Sequence, residues 1–324
     1  MAVPLVRLIR SGLEESAHDG DVAVADQEGR LVAFAGNHDR PVFARSSMKP
    51  LQATVSLSLA AIDFPDREVA VMCASHNAER VHIEAVRSVL SRAGVPENDL
   101  RCQSMLPWDQ ETMMAHPLRL RINSDCSGKH AGMLAACRSQ GWPRGSYREA
   151  DHPLQQRVLR TVLSTTGLPE VRIGVDGCGV PVHGMPLRSM AHLYASLTSP
   201  ERFGSMEWHA RRVVEAMVAE PYVVAGRNRV DTAVMEVAPG VLVKAGAEGL
   251  ICAALPEHGL GLAVKIADGA HRGAGPALIH ALRTLHALTE RQVQSLAPFA
   301  RPSVLGGGRP VGELVAGFDL RRAK

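Results

Sequence analysis

The chain is poor in aromatic side chains, carries little net charge and has no long apolar run. Aromatic residues make up 4% of its 324 positions, and the formal net charge is +3. Without a basic stretch interleaved with aromatic residues, the sequence argues against a nucleic-acid surface and favours a small substrate. The stretch Met1–Arg10 is apolar only in fragments broken by arginines. We therefore expect no signal peptide, no membrane partner and a cytoplasmic protein.

Cysteine is scarce and scattered. The six cysteines show neither the density nor the short pairing of a secreted disulfide scaffold, so we expect reduced thiols. Glycine-rich phosphate-binding motifs are absent, and Gly306-Gly307-Gly308 is interpreted as a turn. With 46% hydrophobic residues, the chain can build a sizeable core from Ala, Val, Leu, Ile and Met.

Strand-like runs are concentrated near the two ends of the chain. Residues 21–25 and 30–35 flank Asp26-Gln27-Glu28-Gly29 and predict a hairpin, and residues 41–44 predict a short strand that leads into a helix. A C-terminal meander is predicted from three runs separated by glycine-rich turns. The remaining strand predictions are 69–74, 241–244, 250–254 and 260–266.

Helical patterns fill the middle of the chain, and residues 99–123 predict a long loop. The predicted helices are 77–92 with Asn77 as its cap, 129–137, 153–163 opened by Asp151, 187–197, 208–218 and a closing helix 277–288. Because strands and helices do not alternate as βαβ units do, we predict an α+β fold whose terminal strands share one antiparallel sheet. We expect a single catalytic domain, with an α/β part at roughly 1–110 and 225–324 and a mainly helical part at roughly 111–224.

The stretch Arg45-Ser46-Ser47-Met48-Lys49-Pro50 places a hydroxyl and an amine three residues apart at the start of a predicted helix. Positions i and i+3 share a helix face, so Lys49 faces Ser46 rather than Ser47. A lysine whose pKa is depressed by burial and nearby positive charge can take the proton of a serine nucleophile. The alternative is a capping Ser46 and a solvated Lys49. Ser75, at the end of the predicted strand 69–74, is a second candidate hydroxyl, with helix capping as its alternative.

A second constellation is Asn123-Ser124-Asp125-Cys126-Ser127-Gly128-Lys129-His130, the stretch densest in reactive side chains. Its expected partner is the glycine-rich turn Val175-Asp176-Gly177-Cys178-Gly179-Val180-Pro181. A carboxylate and a thiol in such a turn can face a substrate amine or a metal. The spacing is not a standard zinc pattern, because lysine ligates only when neutral, and buried structural cysteines are the simpler interpretation.

Six motifs occur in the order seen in the asparaginase II family of the Rhizobium etli type, and together the resemblance covers nearly the whole chain. The matches on Cys-Ser-Gly-Lys-His and Asp-Gly-Cys are specific, whereas Ser-x-x-Lys alone is a weak motif. The motifs are Ala44-Arg45-Ser46-Ser47-Met48-Lys49-Pro50, Met72-Cys73-Ala74-Ser75-His76, Cys126-Ser127-Gly128-Lys129-His130-Ala131-Gly132-Met133-Leu134, Asp176-Gly177-Cys178-Gly179-Val180-Pro181, Gly246-Ala247-Glu248-Gly249 and Val264-Lys265-Ile266-Ala267-Asp268-Gly269.

This resemblance implies hydrolysis of the side-chain amide of L-asparagine to L-aspartate and ammonia, in a fold similar to serine β-lactamases and glutaminases. It implies two serine–lysine pairs, Ser46 with Lys49 and Ser75 with Lys265. In this scheme Ser46 attacks the amide carbon, Lys49 takes its proton, and the second pair relays protons to ammonia and from water, although the order of the serines can be reversed. Two nearby lysines repel each other as cations, so at least one should have a lowered pKa.

The resemblance also implies one zinc ion per chain, bound by Cys126, a neutral Lys129 and Cys178, and a homodimer. The chain departs from the family pattern at Asp125, where an Asn is common, and at Arg101-Cys102-Gln103-Ser104, which lacks a Cys-Gly start. These departures concern metal affinity and substrate preference more than the class of reaction. Whether zinc is catalytic or structural stays open at this stage.

Three further residues are expected to bind the substrate. Asp176 and Arg45 are the natural partners of the α-ammonium and the α-carboxylate of L-asparagine, and His130 can orient either group. Cys252 lies near the position where some family members carry another active-site cysteine.

Two other classes of function compete with this reading. The first is a penicillin-recognising acyl enzyme. The Ser-x-x-Lys element, Ser124-Asp125-Cys126 and Lys244-Ala245-Gly246 resemble the three sequence elements of that class, but the second and third match its pattern only in part. A zinc-dependent, non-catalytic sensor or binding protein would use the cysteines structurally and the serines as caps. A glutaminase or a broader amidase belongs to the same reaction class as the asparaginase.

Overall fold

A computed structural model describes residues 1–323 of the chain. The strands are β1 (Val3–Arg10), β2 (Leu13–Asp26), β3 (Leu31–Ala35), β4 (Pro41–Phe43), β5 (Arg172–Val175), β6 (Pro181–Pro186), β7 (Leu242–Ala245), β8 (Leu250–Leu255), β9 (Leu260–Ile266), β10 (Ser303–Gly306), β11 (Arg309–Ala316) and β12 (Arg321–Arg322). The helices are α1 (Lys49–Ala60), α2 (Asp66–Cys73), α3 (Arg80–Arg92), α4 (Gln110–Ala115), α5 (Ser127–Gln140), α6 (Pro153–Thr166), α7 (Leu187–Leu197), α8 (Glu207–Ala219), α9 (Pro221–Val224), α10 (Val230–Val237), α11 (His271–Thr284), α12 (Glu290–Ser295) and α13 (Ala297–Ala300).

The chain forms two compact units, and unit 1 is built around a sheet. This unit comprises Met1–Ser47, Met185–Ser199 and the chain from Ala233 onward. Its strands follow the order β10-β11-β1-β2-β9-β8-β7, and β3 pairs with both β2 and β12. The paired strands are antiparallel. Strands from both ends of the chain therefore share one antiparallel sheet, which confirms the predicted α+β fold.

The central strands of unit 1 are buried on both faces. Val22–Ala25 in β2 are all buried, and so are Leu262–Val264 in β9. Because alternate residues of a strand point to opposite faces, an unbroken buried run requires cover on both sides. Helices α7 and α11 provide it, since both pack against β8 and β9. The two helices therefore cover the strand β9 that carries Lys265.

Unit 2 comprises Met48–Gly184 and Pro200–Thr232 and is mainly helical. Its core is formed by α1 and α5, which pack against each other; α1 also contacts α6 and α8, and α5 also contacts α2 and α3. All of α5 from Ser127 to Cys137 is buried. Small residues dominate this stretch, so neighbouring helices can approach its backbone closely. Strands β5 and β6 form an antiparallel pair at the edge of the unit.

Several predicted elements are confirmed. The first hairpin corresponds to β2 and β3, the meander corresponds to β7, β8 and β9, and α7 spans the predicted residues 187–197. A 3₁₀ turn over Arg45–Met48 precedes α1, which carries Pro50 in its first turn as predicted. The glycine triplet turns the chain between β10 and β11.

Three helix and strand predictions were wrong. Residues 69–74 are not a strand but lie mostly in α2, because a short apolar run cannot be told from a buried helix by its pattern. Asn77 does not cap α3; Glu79 does, and the Asn77 side chain donates to the Arg227 carbonyl instead (2.9 Å). His152 rather than Asp151 caps α6. Ser75 therefore follows a helix, in the segment that joins α2 to α3.

Other boundaries also differ. The predicted loop 99–123 contains helix α4. The closing helix α11 begins at His271 rather than after Pro276, which lies inside it. A Cβ atom at Gly273 would lie 3.2 Å from the His18 side chain, so the absence of a side chain there leaves room for His18. Strands β1, β5, β6, β10, β11 and β12 were not predicted. β1 and β11 have alternating or partial burial that a search for apolar runs overlooks.

All six cysteines are free and buried, which confirms the expectation of reduced thiols. Among residues 1–323, no helix combines the length and the apolar character needed to cross a bilayer.

Gly128 offers a direct test of the packing in unit 2. A Cβ atom at Gly128 would overlap the carbonyl oxygen of Val71 in α2, whereas a Cβ at Gly145 would meet nothing within 4 Å. We expect Gly128→Ala to lower the free energy of unfolding by about 1–3 kcal/mol, because backbone rather than a flexible side chain must move. Gly145→Ala is the matched control and should leave stability nearly unchanged. Urea unfolding of both variants measures this, and equal stability would contradict the close approach of α2 and α5.

Candidate active site

Lys49 is one of the fully enclosed reactive side chains of unit 2. It is fully buried at the first position of α1. Its Nζ donates to the carbonyl oxygens of Ala74 (2.5 Å) and Asp125 (3.3 Å) and lies 2.9 Å from Ser75 Oγ. Among residues 1–323, no carboxylate forms an ion pair with it. With two N–H groups directed at carbonyls, a neutral Lys49 has its lone pair available for the Ser75 proton.

The backbone holds Ser75 in place. Its N–H donates to the Val224 carbonyl (3.0 Å), and the N–H of Asn77 donates to the Ala225 carbonyl (3.1 Å). Between them, the His76 ring bonds Ser127 Oγ through Nε2 (2.9 Å). Burial lowers the pKa of His76 well below its usual value, so this ring is neutral and structural. The segment therefore presents the Ser75 hydroxyl to Lys49 from a rigid support.

Unit 1 carries the other candidate serine. Ser46 is half-buried in the 3₁₀ turn, while the neighbouring Ser47 is fully buried and donates its hydroxyl to the Lys244 carbonyl (3.0 Å). The Ser47 carbonyl in turn accepts from the Tyr194 hydroxyl (2.7 Å). Ser47 thus serves to anchor the turn, which favours Ser46 as the nucleophile candidate of the two.

Arg45 has a strained backbone beside this serine. Its φ is +45°, a region that residues other than glycine rarely occupy. Its guanidinium lies 3.9 Å from the carboxylate of Glu248, which has a φ of +60°. Such strain is often retained at functional sites, and here it fixes the entry of the chain into the Ser46 turn.

Lys265, the predicted partner of Ser75, is half-buried in β9. Its Nζ donates to the carbonyls of Ile266 (2.8 Å) and Glu248. Burial lowers its pKa, and the positive charge of Arg40 acts in the same direction. In the described structure the hydroxyl of Ser75 is bonded by Lys49, while the pairing of Ser75 with Lys265 stays a prediction.

Lys244 has no place in the two serine–lysine pairs predicted from the sequence. It is fully buried in β7, and its Nζ donates to the Ala245 carbonyl (2.6 Å). A wholly buried lysine is costly and is seldom kept without a function or a partner. The signal was present in the sequence, because Lys244 lies within an apolar strand run directly before Ala245-Gly246.

The cysteine cluster lies within unit 2, as the sequence pattern indicated. Lys129 Nζ is 3.1 Å from Cys178 Sγ, and both side chains are buried. The Cys126 thiol donates to Cys178 and, together with the Lys129 ammonium, holds the pKa of Cys178 well below its usual value despite burial. Burial opposes a charged Lys129, but the Cys178 charge prevails and raises the pKa of Lys129. The cluster is therefore a thiolate–ammonium pair capped by a thiol.

These three side chains fit a zinc ion chemically. Zinc prefers thiolate sulfur and nitrogen donors, and Cys126, Lys129 and Cys178 offer two sulfurs and one nitrogen in contact with one another. No group of three or more His, Cys, Asp or Glu side chains that could hold a metal exists within residues 1–323, so the amine of Lys129 is essential to this set. Binding would require the loss of protons from Cys126 and Lys129.

The remaining predicted residues lie around this cluster. Asp176 is half-buried at the start of the turn that ends at Val180, and its charge contributes to the raised pKa of Lys129. His130 is fully buried next to Lys129, and its Nδ1 bonds the hydroxyl of Tyr147 (2.5 Å). Tyr147 has no sequence motif and could not have been found from the pattern. Asp125 bonds Lys49 through its carbonyl, so this contact is independent of the departure from Asn.

Cys252 lies in unit 1 beside Ser47. It is fully buried in β8, and burial raises its pKa to about 12 although the Ser47 side chain bonds it. At neutral pH it is a protonated thiol and a poor nucleophile. It therefore belongs to the packing under the Ser46 turn.

The chain matches one known protein family and is similar in fold to several solved structures. The family model described as L-asparaginase II matches residues 6–316. A search of curated proteins found no match. Among solved structures, a β-lactamase from Mycobacterium bovis is 15% identical in sequence, with a TM-score of 0.43; the match covers 83% of this chain and 95% of the β-lactamase. A Bacillus glutaminase is 11% identical, with a TM-score of 0.44, and the match covers 83% of this chain and 91% of the glutaminase. Mglu in its glutamate form is 16% identical, with a TM-score of 0.39, and the match covers 83% of this chain and 61% of Mglu.

Proposed function

Because the chain belongs to the L-asparaginase II family, we propose that it hydrolyses the side-chain amide of L-asparagine to L-aspartate and ammonia. Family membership supports an amidohydrolase, and the choice of asparagine is our proposal. The observation that carries the mechanism is the 2.9 Å contact between Lys49 Nζ and Ser75 Oγ. It unites two residues that the sequence resemblance assigned to separate pairs.

In the proposed reaction, Ser46 Oγ attacks the amide carbon and forms the ester bond of an acyl-enzyme. The Ser46 proton passes to Lys49, the carbon–nitrogen bond breaks, and the nitrogen leaves as ammonia after receiving a proton. Water then attacks the ester, gives one proton to the same base, and releases L-aspartate and the free serine. Each step needs a base that is neutral before it and charged after it, and Lys49 is proposed to be that base.

Ser75 is proposed to relay the proton from Lys49 to the departing nitrogen. Its hydroxyl accepts from Lys49 when the lysine is charged and donates when the lysine is neutral. The Ala74 and Asp125 carbonyls hold the other two N–H groups in both states. Lys265, the partner of Ser75 that the resemblance implies, stays a further catalytic candidate.

The substrate groups are assigned by charge. Asp176 is proposed to bind the α-ammonium group, Arg45 the α-carboxylate, and His130 to orient either group. For Arg45, this requires exchange of its long contact with Glu248 (3.9 Å), which is exposed and weak. L-Glutamine carries the same α-ammonium and α-carboxylate groups on a side chain that is one methylene longer. Measuring its turnover therefore decides whether the enzyme accepts both amides or only L-asparagine.

Zinc is proposed to bind Cys126, Lys129 and Cys178. When bound, it would supply positive charge and hold the turn of Asp176 against α5. We expect Cys178→Ala to weaken zinc binding by more than about 100-fold, because a thiolate ligand is lost. Cys137→Ala is the matched control, since this cysteine is also buried but lies in α5, outside the cluster. Competition with a chromophoric chelator measures the affinities, and equal zinc affinity of the two variants would contradict the assignment.

A homodimer, which rests on the family resemblance, and a cytoplasmic location are further proposals. Sedimentation of the purified protein decides the first, and fractionation of the native cells decides the second.

The experiment that tests the proposed function is ammonia release from L-asparagine, with L-glutamine and a β-lactam in parallel. Turnover of asparagine supports the proposal, and preferred turnover of glutamine would move it to a glutaminase. Hydrolysis of the β-lactam alone would support the penicillin-recognising alternative. No turnover with or without added zinc would favour a non-catalytic binding protein.

A further inference from the structure

Strand β5 lies at the edge of its sheet. Among residues 1–323 it pairs with β6 on one side and with no strand on the other. Two of its apolar side chains are exposed, Ile173 to 43% and Val175 to 81%. The strand contains neither lysine nor proline, two residues by which natural edge strands avoid pairing with another chain. Its outer edge is therefore suited to accept a further strand.

The backbone N–H and C=O groups of Ile173 and Val175 point to this outer edge. Successive residues of an antiparallel strand direct their backbone groups alternately to the two sides. The N–H of Asp176, directly after β5, donates to the Val180 carbonyl that leads into β6 (2.9 Å). Asp176 therefore faces β6, and the alternation turns Ile173 and Val175 away from it. Pro181, which lies opposite Val175, agrees with this pattern because it has no N–H to donate.

The sequence of this strand is complementary to itself in one register. Two antiparallel copies of β5 can place their outward residues opposite one another in three ways: Ile173 opposite the partner's Ile173, Ile173 opposite the partner's Val175, or Val175 opposite the partner's Val175. In the second register Arg172 lies opposite the partner's Asp176, and two-fold symmetry repeats this pair. The other two registers place Arg172 opposite an uncharged residue. Charge complementarity therefore selects the second register.

The backbone and the apolar side chains agree with the same register. Ile173 and the partner's Val175 exchange both of their backbone hydrogen bonds, and their side chains pack across the two strands. Arg172 and the partner's Asp176 then occupy a pair without backbone bonds, where side chains come closer together. Arg172 is exposed, and within residues 1–323 it forms no ion pair. A carboxylate accepts at two oxygens, so Asp176 can contact both this guanidinium and the α-ammonium group of a substrate.

Building on the proposed homodimer, we infer that two copies of the chain associate through their β5 strands, antiparallel about a two-fold axis at Gly174, with Arg172 of each copy paired to the partner's Asp176. The turn that follows β5 also carries Cys178, so the partner adds a guanidinium beside the proposed substrate and zinc residues. A strand of four residues buries less than the roughly 800 Å² per partner of a standard interface. The dimer is therefore weak and exchanges its chains at micromolar concentrations.

The first test determines the register by disulfide formation between full-length chains. Ile173→Cys and Val175→Cys, carrying different tags, are mixed and oxidised; both positions are exposed, and the six native cysteines are buried. We expect disulfides between the two variants to exceed those within either variant about tenfold, because only directly opposite residues lie within disulfide range. A predominant disulfide between two Ile173→Cys chains, or between two Val175→Cys chains, would overturn the register. Gly145→Cys, also exposed, is the control and should crosslink with neither variant.

The second test measures the dissociation constant of the dimer by sedimentation. We expect Arg172→Asp to raise it at least about tenfold, because two like-charged pairs replace two ion pairs, and added salt should reduce this effect. Arg160→Asp is the matched control: it makes the same charge change at an exposed position of α6 and should stay within about twofold of wild type.

The possible failures can be told apart. Equal weakening by Arg172→Asp and Arg160→Asp would overturn the ion pair. A wild-type dimer that forms no disulfide between Ile173→Cys and Val175→Cys would overturn the β5 interface and leave the homodimer standing. A wild-type chain that stays monomeric at all concentrations would overturn both and leave the edge of β5 to a different partner. Ammonia release from L-asparagine is measured separately, so none of these results decides the proposed activity.

Discussion

Replacement of Lys49 by methionine is expected to lower kcat/KM for L-asparagine by about 10³-fold or more. The reason is that this variant removes the base from both the acylation and the hydrolysis steps, and general-base catalysis alone contributes about 10² to 10⁴. Lys49 is fully buried and bonds the hydroxyl of Ser75, so no solvent group can replace it easily. Steady-state ammonia release measures the loss.

Lys49→Arg separates the two roles that a lysine can have. Arginine keeps the positive charge but cannot give up its proton in a protein. We expect this variant to be as inactive as Lys49→Met. If it kept more than about a tenth of the wild-type kcat, Lys49 would supply charge and not a base. Both variants should remain folded. Lys49→Met should lose about 1–3 kcal/mol because the carbonyls of Ala74 and Asp125 lose a donor. Lys49→Arg should lose about 1–3 kcal/mol because a larger side chain must fit a fully buried position.

Ser46→Ala is expected to show the other large effect, a fall in kcat of at least about 10³-fold, because no acyl-enzyme can form. Ser75→Ala should lose about 10²-fold, since it removes a proton relay and leaves the nucleophile. Ser47→Ala is the structural control: it breaks a bond to the Lys244 carbonyl and should cost about 1 kcal/mol of stability with much smaller loss of turnover. A larger loss of kcat in Ser75→Ala than in Ser46→Ala would make Ser75 the nucleophile and Ser46 the proton relay.

Local features of the site were accessible from the sequence, and non-local features were not. The turn before Pro50 and the buried start of α1 follow from the chemistry of proline and from an apolar run, and both are observed. The contact of Lys49 with Ser75 joins residues 26 positions apart through the packing of α1 and α2. Spacing along the chain carries no information on such a contact.

Buried segments misled the secondary-structure prediction for the same physical reason. The run 69–74 is apolar on all sides because α2 is packed between α5 and α8, and a helix buried all round has no periodic stripe to reveal it. The sheet was predicted correctly where turns are rich in glycine, as in β7, β8 and β9. It was missed at β10 and β11, where burial is partial.

The cysteine cluster shows what a family resemblance adds. Spacing alone favoured inert buried cysteines, whereas the structure brings Lys129 and Cys178 within 3.1 Å and places Cys126 beside them. The resemblance anticipated this set, but it did not include Tyr147, whose hydroxyl contacts His130 Nδ1.

The central claim is that Ser46 is the acylated nucleophile, and one measurement addresses it directly. A diazoketone analogue of L-asparagine alkylates the nucleophile of the site, and peptide mass spectrometry locates the modified residue. We expect one label per chain on Ser46, lost in Ser46→Ala, blocked by L-aspartate and strongly slowed in Lys49→Met. A label on Ser75 that persists in Ser46→Ala would contradict the account.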